Sequence, residues 1–457
     1  FTISRKYLPT IYTPYALGGE NSTVNIKGGA VTAMGGDVGI GGTNSSTTID
    51  GGIVTAKGTR DVAIGGQRPN ITINDGTVKA FGLNTGIGSE FYNWADEADD
   101  SLSVNINGGD ITAWGGCDFS VDESDFEEGY DFKYSYDGEY GIGGHFHHEP
   151  QAQSIIITGG KIDAKAGKGG IGSNFDEKII GNDYYNWESN ERFLIKISGG
   201  EVNAEATWRG CGIGGLMNSY DHRTIEITGG TINAIGREGA GIGGGDCGDG
   251  STDRSVIRIG GDAYIKNAIS YSGGAGIGAS GSLRDENNEN PVGFGGGRII
   301  IEGNAGIGKN TYSEEGAKSF ESGRGASAGI GGSGGGVIKG GSGGYIEINT
   351  TGNIRASSIG GGSACYLDYV NSSQVYSGVG GDGGTIIIKS GNIIGEFQSV
   401  GDLRKTSEGN YVGSANAFIG GGGGYEKGGN GGNITINGGN IGTTNGTISS
   451  SLAVARD

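Results

Sequence analysis

The sequence predicts an all-β chain wound as a parallel β-helix, a three-sided β-solenoid of about 12 coils with long loop insertions. Three observations predict it. A unit of three short alternating segments recurs along the chain, glycine pairs stand between the segments, and isoleucines and alanines return at equivalent places.

The first full unit is Val24-Asn-Ile-Lys-Gly-Gly-Ala-Val-Thr-Ala-Met-Gly-Gly-Asp-Val-Gly-Ile-Gly-Gly42. Val24 and Ile26 alternate with Asn25 and Lys27, and Val31 and Ala33 flank Thr32, the period of two that gives a strand one apolar face. The intervening Gly28-Gly29 can take positive φ without a Cβ penalty and so turn the backbone sharply. Ile26 and Ile49 are 23 residues apart, enough for one coil of three strands. Coils stacked at ~4.8 Å then pair each strand with its equivalent above and below.

Stacking converts the repeat into inward columns. One holds Ile26, Ile49, Ile73, Ile106, Ile157, Ile197, Ile227 and Ile259. A second, where the coil is expected to be narrow, holds Ala33, Ala56, Ala80, Ala113, Ala164, Ala204 and Ala234. The third holds an Ile followed by Gly: Ile40, Ile64, Ile87, Ile142, Ile171, Ile213, Ile242, Ile277, Ile307, Ile330, Ile359 and Ile419. Glycines beside these isoleucines predict a flat wall lying against something or carrying a folded-over loop. Residues 1–270 read as regular repeats with inserted aromatic and acidic loops, and 271–457 as a continuation of the same solenoid with looser, glycine-denser repeats. Phe1-Thr-Ile-Ser4 reads as a strand that could be donated to another subunit.

Composition excludes several classes. The 457 residues include 104 Gly but only 5 Pro and no Gly-X-Y period, which excludes collagen. A net charge of −19 disfavours nucleic acid, and no apolar run is long enough to predict a membrane span. Cys117, Cys211, Cys247 and Cys365 are far apart and form no CxxC pair. With Phe1 in first place and no signal-type segment, the expectation is a mature product or a fragment. Asn21, Asn44, Asn70, Asn349, Asn371, Asn433 and Asn445 each begin an Asn-x-Ser/Thr sequon, so they are the glycosylation candidates of a secreted chain.

Local chemistry is expected in the insertions. The segment 117–140 is dense in carboxylates, and Asp122, Asp125, Glu127 and Glu128 are its candidate ligands for calcium, the one cofactor considered. Its other reading is a solvated acidic loop anchored by aromatics. His145, His147 and His148 beside Glu149 form a second, weaker metal candidate. Two loops share a Tyr-Asn-Trp triplet, so Tyr92, Trp94, Tyr185 and Trp187 are the candidate ligand-binding rings, with a cover over the wall as the alternative. Trp114 and Trp208 could join such a cover. On the outer strands only Asp110, Lys161, Asp163 and Glu201 make a charged patch, and their alternating signs fit cross-strand pairing better than catalysis. Two Gly-x-Ser-x-Gly matches, 331–335 and 340–344, carry no weight in so glycine-rich a chain. No catalytic residue is assigned.

The unit 225–245, with Gly-Ala-Gly-Ile-Gly-Gly-Gly at its end, resembles the repeats of large glycine-rich, adhesin-like surface proteins of anaerobic Gram-positive bacteria. The resemblance covers most of the chain and implies an extracellular or cell-surface setting. The resulting expectation is a non-catalytic extracellular structural β-solenoid that self-associates head-to-tail through its terminal coils into a filament or surface layer. The alternatives are a carbohydrate-binding or adhesive module and, third, a polysaccharide lyase or glycosidase of β-helix type.

Overall fold

A computed structural model describes residues 2–3, 14–89, 101–120, 129–130, 132–135, 137–146, 153–175, 193–215, 223–244, 255–271, 273–281, 292–308, 327–334, 337–364, 366–370, 373–395, 404–405, 411–412 and 417–443. Among these residues every regular element is a strand. Contacts divide the chain into two units, residues 1–208 with 219–224, and residues 209–218 with 225–457. Each is a parallel β-helix with three walls.

In the first unit the first wall is built from Thr23–Ile26, Ser46–Ile49, Asn70–Ile73, Ser103–Ile106, Ser154–Ile157 and Phe193–Ile197. Ile26, Ile49, Ile73, Ile106, Ile157 and Ile197 are consecutive register partners, as the repeat predicts. The second wall runs from Ala30–Gly35 to Glu201–Ala206 and stacks Ala33, Ala56, Ala80, Ala113, Ala164 and Ala204. The third wall stacks Leu17, Ile40, Ile64, Ile87, Ile142 and Ile171. Burying such columns of isoleucine, each worth roughly 1.5–3 kcal/mol, is the main apolar gain of the fold.

The flat third wall lies against the second. A Cβ on Gly86 would stand 2.6 Å from the amide nitrogen of Trp114 and 2.8 Å from the carbonyl carbon of Ala113, so the two backbones are in direct contact. Alanine in one wall and glycine in the other are therefore what make the coil narrow. The glycine after each third-wall isoleucine is constrained by its neighbour coil as well: Gly65 has φ +136°, and a Cβ there would lie 1.8 Å from the Gly88 carbonyl oxygen. Outside, at the first corner, Asn74 donates to Asp50 (2.7 Å), Asn107 to Asn74 (2.8 Å) and Thr158 to Asn107 (3.0 Å), tying four coils by side chains alone.

Thr2–Ile3, expected as a donated strand, instead pairs within its own chain, with Thr32 and Ala33 of the second wall. It occupies the place of a second-wall strand ahead of Tyr15–Gly18.

In the second unit Ile259, Ile301, Ile348, Ile388 and Ile436 stack along the first wall. Ala234 and Ala268 stack along the second. Ile213, Ile242, Ile277, Ile330, Ile359 and Ile419 stack along the third. Ile307 is not in that column. It lies in the second wall between Ile265 and Ile354, because Gly306-Ile-Gly follows Arg298–Gly303 after one short turn and so fills the next strand position. The third-wall strand of that coil is Ile330–Gly331.

Glycine runs at 293–297, 331–334, 340–344, 360–363, 380–384, 420–424 and 428–432 are extended segments in tight backbone contact. A Cβ on Gly362 would stand 2.0 Å from the Ser333 carbonyl oxygen, and one on Gly381 2.0 Å from that of Gly341. No side chain fits at those glycines, while Phe294, Ser333, Ser342 and Asp382 stand between them.

Candidate functional site

The one outward cluster of rings among the described residues sits on the second wall of the first unit. Lys57, Phe81, Trp114 and Lys165 occupy one outward column on successive coils. The insertion that follows Trp114 turns back on itself, with Cys117–Asp118 pairing antiparallel to Lys133–Tyr134, and lays its own aromatics over that column. Ring centroids are 5.0 Å apart for Phe81 and Phe132, 5.0 Å for Trp114 and Tyr130, and 5.5 Å for Phe119 and Phe132. Their tilted and edge-on arrangement is the one that ring quadrupoles favour. Phe132 and Cys117 are fully buried and Phe81 nearly so, while Trp114, Phe119 and Tyr130 are half-buried.

Cations and one carboxylate close the cluster. The Lys165 ammonium lies 4.8 Å from the Tyr134 ring centre and 5.5 Å from that of Trp114, and the Lys57 ammonium 5.7 Å from that of Phe119. The Trp114 indole N–H donates to Asp163 at 2.9 Å. Burial, reinforced by Asp163 and then Cys117, raises the Tyr130 pKa above its ordinary value, which keeps the phenol neutral. With its indole donor used and its rings faced by neighbours, the cluster is a satellite core holding the insertion onto the wall. Around Trp114 the aromatics of the acidic insertion anchor it to the second wall.

The other predicted patch is divided. Asp110, Lys161 and Glu201 are register partners on successive coils, whereas Asp163 is engaged by Trp114. Asp122, Asp125, Glu127, Glu128, Tyr92, Trp94, Tyr185, Trp187, His147, His148 and Glu149 lie outside the described residues. Of His145 only the backbone is described, paired with Asn174. Among the sequon asparagines, Asn21, Asn44, Asn70, Asn349 and Asn433 are exposed, and Asn371 and Asn445 lie outside the described residues. Asn21 and Asn44 have φ of 52° and 53°, a left-handed turn that asparagine tolerates, which gives them a structural reason at the corner. Cys117 and Cys211 are buried and unbridged, and Cys247 and Cys365 lie outside the described residues.

A charged cluster in the second unit was missed by sequence reasoning. Glu347 accepts hydrogen bonds from the Tyr345 hydroxyl (2.7 Å) and the Lys389 ammonium (2.6 Å), and the Arg298 guanidinium lies 4.7 Å from the Tyr345 ring centre. The bond from Lys389, then that from Tyr345, holds the Glu347 carboxyl below its ordinary pKa. The same bonds raise the pKa values of Tyr345 and Lys389. The signal was available: aligning Ile301, Ile348 and Ile388 places all four residues on the outer face of adjacent strands. Chemically the cluster is a mutually satisfied cross-coil clasp.

Comparison of the chain with protein-family models, curated proteins and solved structures gives no match.

Proposed function

We propose that the chain is a non-catalytic structural β-solenoid of an extracellular or cell-surface assembly. The observation that carries this reading is the backbone-to-backbone contact of the second and third walls, where the Ala and Gly columns leave no room for a larger side chain or a ligand between them. Side-chain chemistry points the same way. The ring cluster and the Glu347 clasp engage their donors and charges with one another, so both act as fasteners. The acidic balance suits a soluble surface in contact with cations or neutral partners.

Assembly is proposed to proceed by strand addition. Among the described residues, Asn433–Ile436 and Asn440–Thr443 pair on one side only, and Ile436 and Ile441 are 47% and 38% exposed. A further coil laid on these strands would cover both isoleucines and complete their ladders, and a coil from another copy makes a heterologous, propagating contact. Electron microscopy and sedimentation of the purified chain test the proposal. Filaments or sheets are expected, and Ile436→Lys with Ile441→Lys should abolish them. Monodisperse monomers at high concentration would remove it.

A further inference from the structure

In the first unit the strands Thr23–Ile26, Ser46–Ile49, Asn70–Ile73 and Ser103–Ile106 bury their second and fourth residues and turn their first and third outward. The eight outward residues, two from each of four strands, are all Ser, Thr or Asn, and each is exposed or half-exposed. Register pairing sets them in two parallel columns, one running from Thr23 to Ser103 and the other from Asn25 to Asn105. The second wall of the same coils, by contrast, turns Lys57, Lys79 and Asp110 outward. Two coils beyond Ser103, the columns themselves change character and hold Leu194 and Lys196.

Hydrogen bonding also sets this strip apart. Along the adjoining corner Asp50, Asn74, Asn107 and Thr158 satisfy one another from coil to coil. On the strip, among the described residues, Asn105 donates to Ser103 at 3.2 Å and the other six side chains bond to no protein group. Their hydroxyls and amides both donate and accept. β-Branched threonines on a stacked sheet are stiff, so presenting these groups to a ligand costs little further ordering.

The chemistry and size of the strip select its partner. It carries no ionisable group in a chain of net charge −19, so it offers nothing to a charged polymer, and it has no ring or aliphatic side chain to receive an apolar one. With coils ~4.8 Å apart the strip is about 20 Å long and about 10 Å wide, about 200 Å². A stable protein interface needs about 800 Å² per partner. What matches is a narrow, extended, uncharged chain that is itself rich in hydroxyls. We propose that this outer face of the first wall is a docking strip for an uncharged polysaccharide. The assignment uses the face of the coils and not their edges, so it stands apart from head-to-tail assembly.

Affinity electrophoresis of the whole chain tests this, with a soluble β-glucan, a mannan and a galactan as neutral probes and polygalacturonate as the charged control. The chain is produced without glycosylation, because Asn70 and Thr72 belong to one sequon. At least one neutral polymer is expected to retard it, equally at low and high salt since no ion pair contributes. Thr48→Ala with Thr72→Ala removes two hydroxyls from the middle of the strip and should weaken the affinity about tenfold. Thr48→Lys, which places an ammonium group and a long stem there, should abolish retardation, while Thr55→Ala on the second wall should leave it unchanged. Thermal unfolding checks that each variant is folded, and the alanine pair carries the test if the lysine variant is not. No retardation by any neutral polymer, retardation by polygalacturonate alone that salt removes, or retardation that survives the strip variants would overturn the proposal. So would Thr48→Lys altering only the sedimentation of the polysaccharide-free chain, which would make the strip a contact between copies.

Discussion

Replacing Gly65 by alanine tests the physical basis of the coil directly. Two penalties act there. At φ +136° an L side chain is held in a region reserved for glycine, at a cost of about 1–3 kcal/mol. The new methyl would also stand 1.8 Å from the Gly88 carbonyl oxygen and 2.9 Å from its carbon, so the neighbouring coil must shift, which adds about 1–3 kcal/mol of overpacking. The expected loss is about 2–6 kcal/mol for the first unit. Two other variants separate the contributions. Gly29 has φ +82° and nothing within 4 Å of where a Cβ would stand, so Gly29→Ala should cost only the conformational share, about 1–2 kcal/mol. Gly28 has neither burden, and Gly28→Ala should change stability by no more than about 0.5 kcal/mol. Denaturant unfolding followed by amide exchange within the first unit reads all three. Equal stability of the Gly65→Ala and Gly28→Ala proteins would refute the claim that coils meet backbone to backbone.

Glu347 sets an acid dependence for the second unit. Its folded pKa lies below the ordinary 4.5, so its contribution is complete above 4.5 and is lost as pH falls through the folded value. Lys389 contributes fully below 10.5 and loses its share as pH rises through its higher folded value. Glu347→Gln should flatten the acid side of the stability-against-pH curve, and an unchanged acid slope would show that the clasp is idle. Phe132→Ala, emptying a fully buried ring position, should destabilise the first unit by about 3–5 kcal/mol and shift Trp114 emission to longer wavelength. Unaltered emission would mean that the insertion is not seated on the wall.

The ring cluster was only half legible in the sequence. Trp114 stood out as an aromatic just after a strand, and the insertion's rings were visible as anchors. Which rings meet depends on Lys57, Phe81, Trp114 and Lys165 falling in one outward column while the segment after Cys117 reverses direction, and that reversal carries no repeat. The Glu347 clasp was overlooked for a related reason. Its members come from three coils, about 40 residues or more apart, and acquire meaning only once the register is fixed.

The repeat by itself determined the three walls, the inward isoleucine and alanine columns and the glycine corners, because a period of two and a stacked coil leave each position a single face to occupy. Tertiary structure decided the rest. It moved Ile307 to the second wall, kept Thr2–Ile3 at home, and turned glycine runs that look featureless into extended segments in tight backbone contact. Glycine carries no side chain to announce a pattern, so the partners of its backbone groups are set only by which segments the fold brings together.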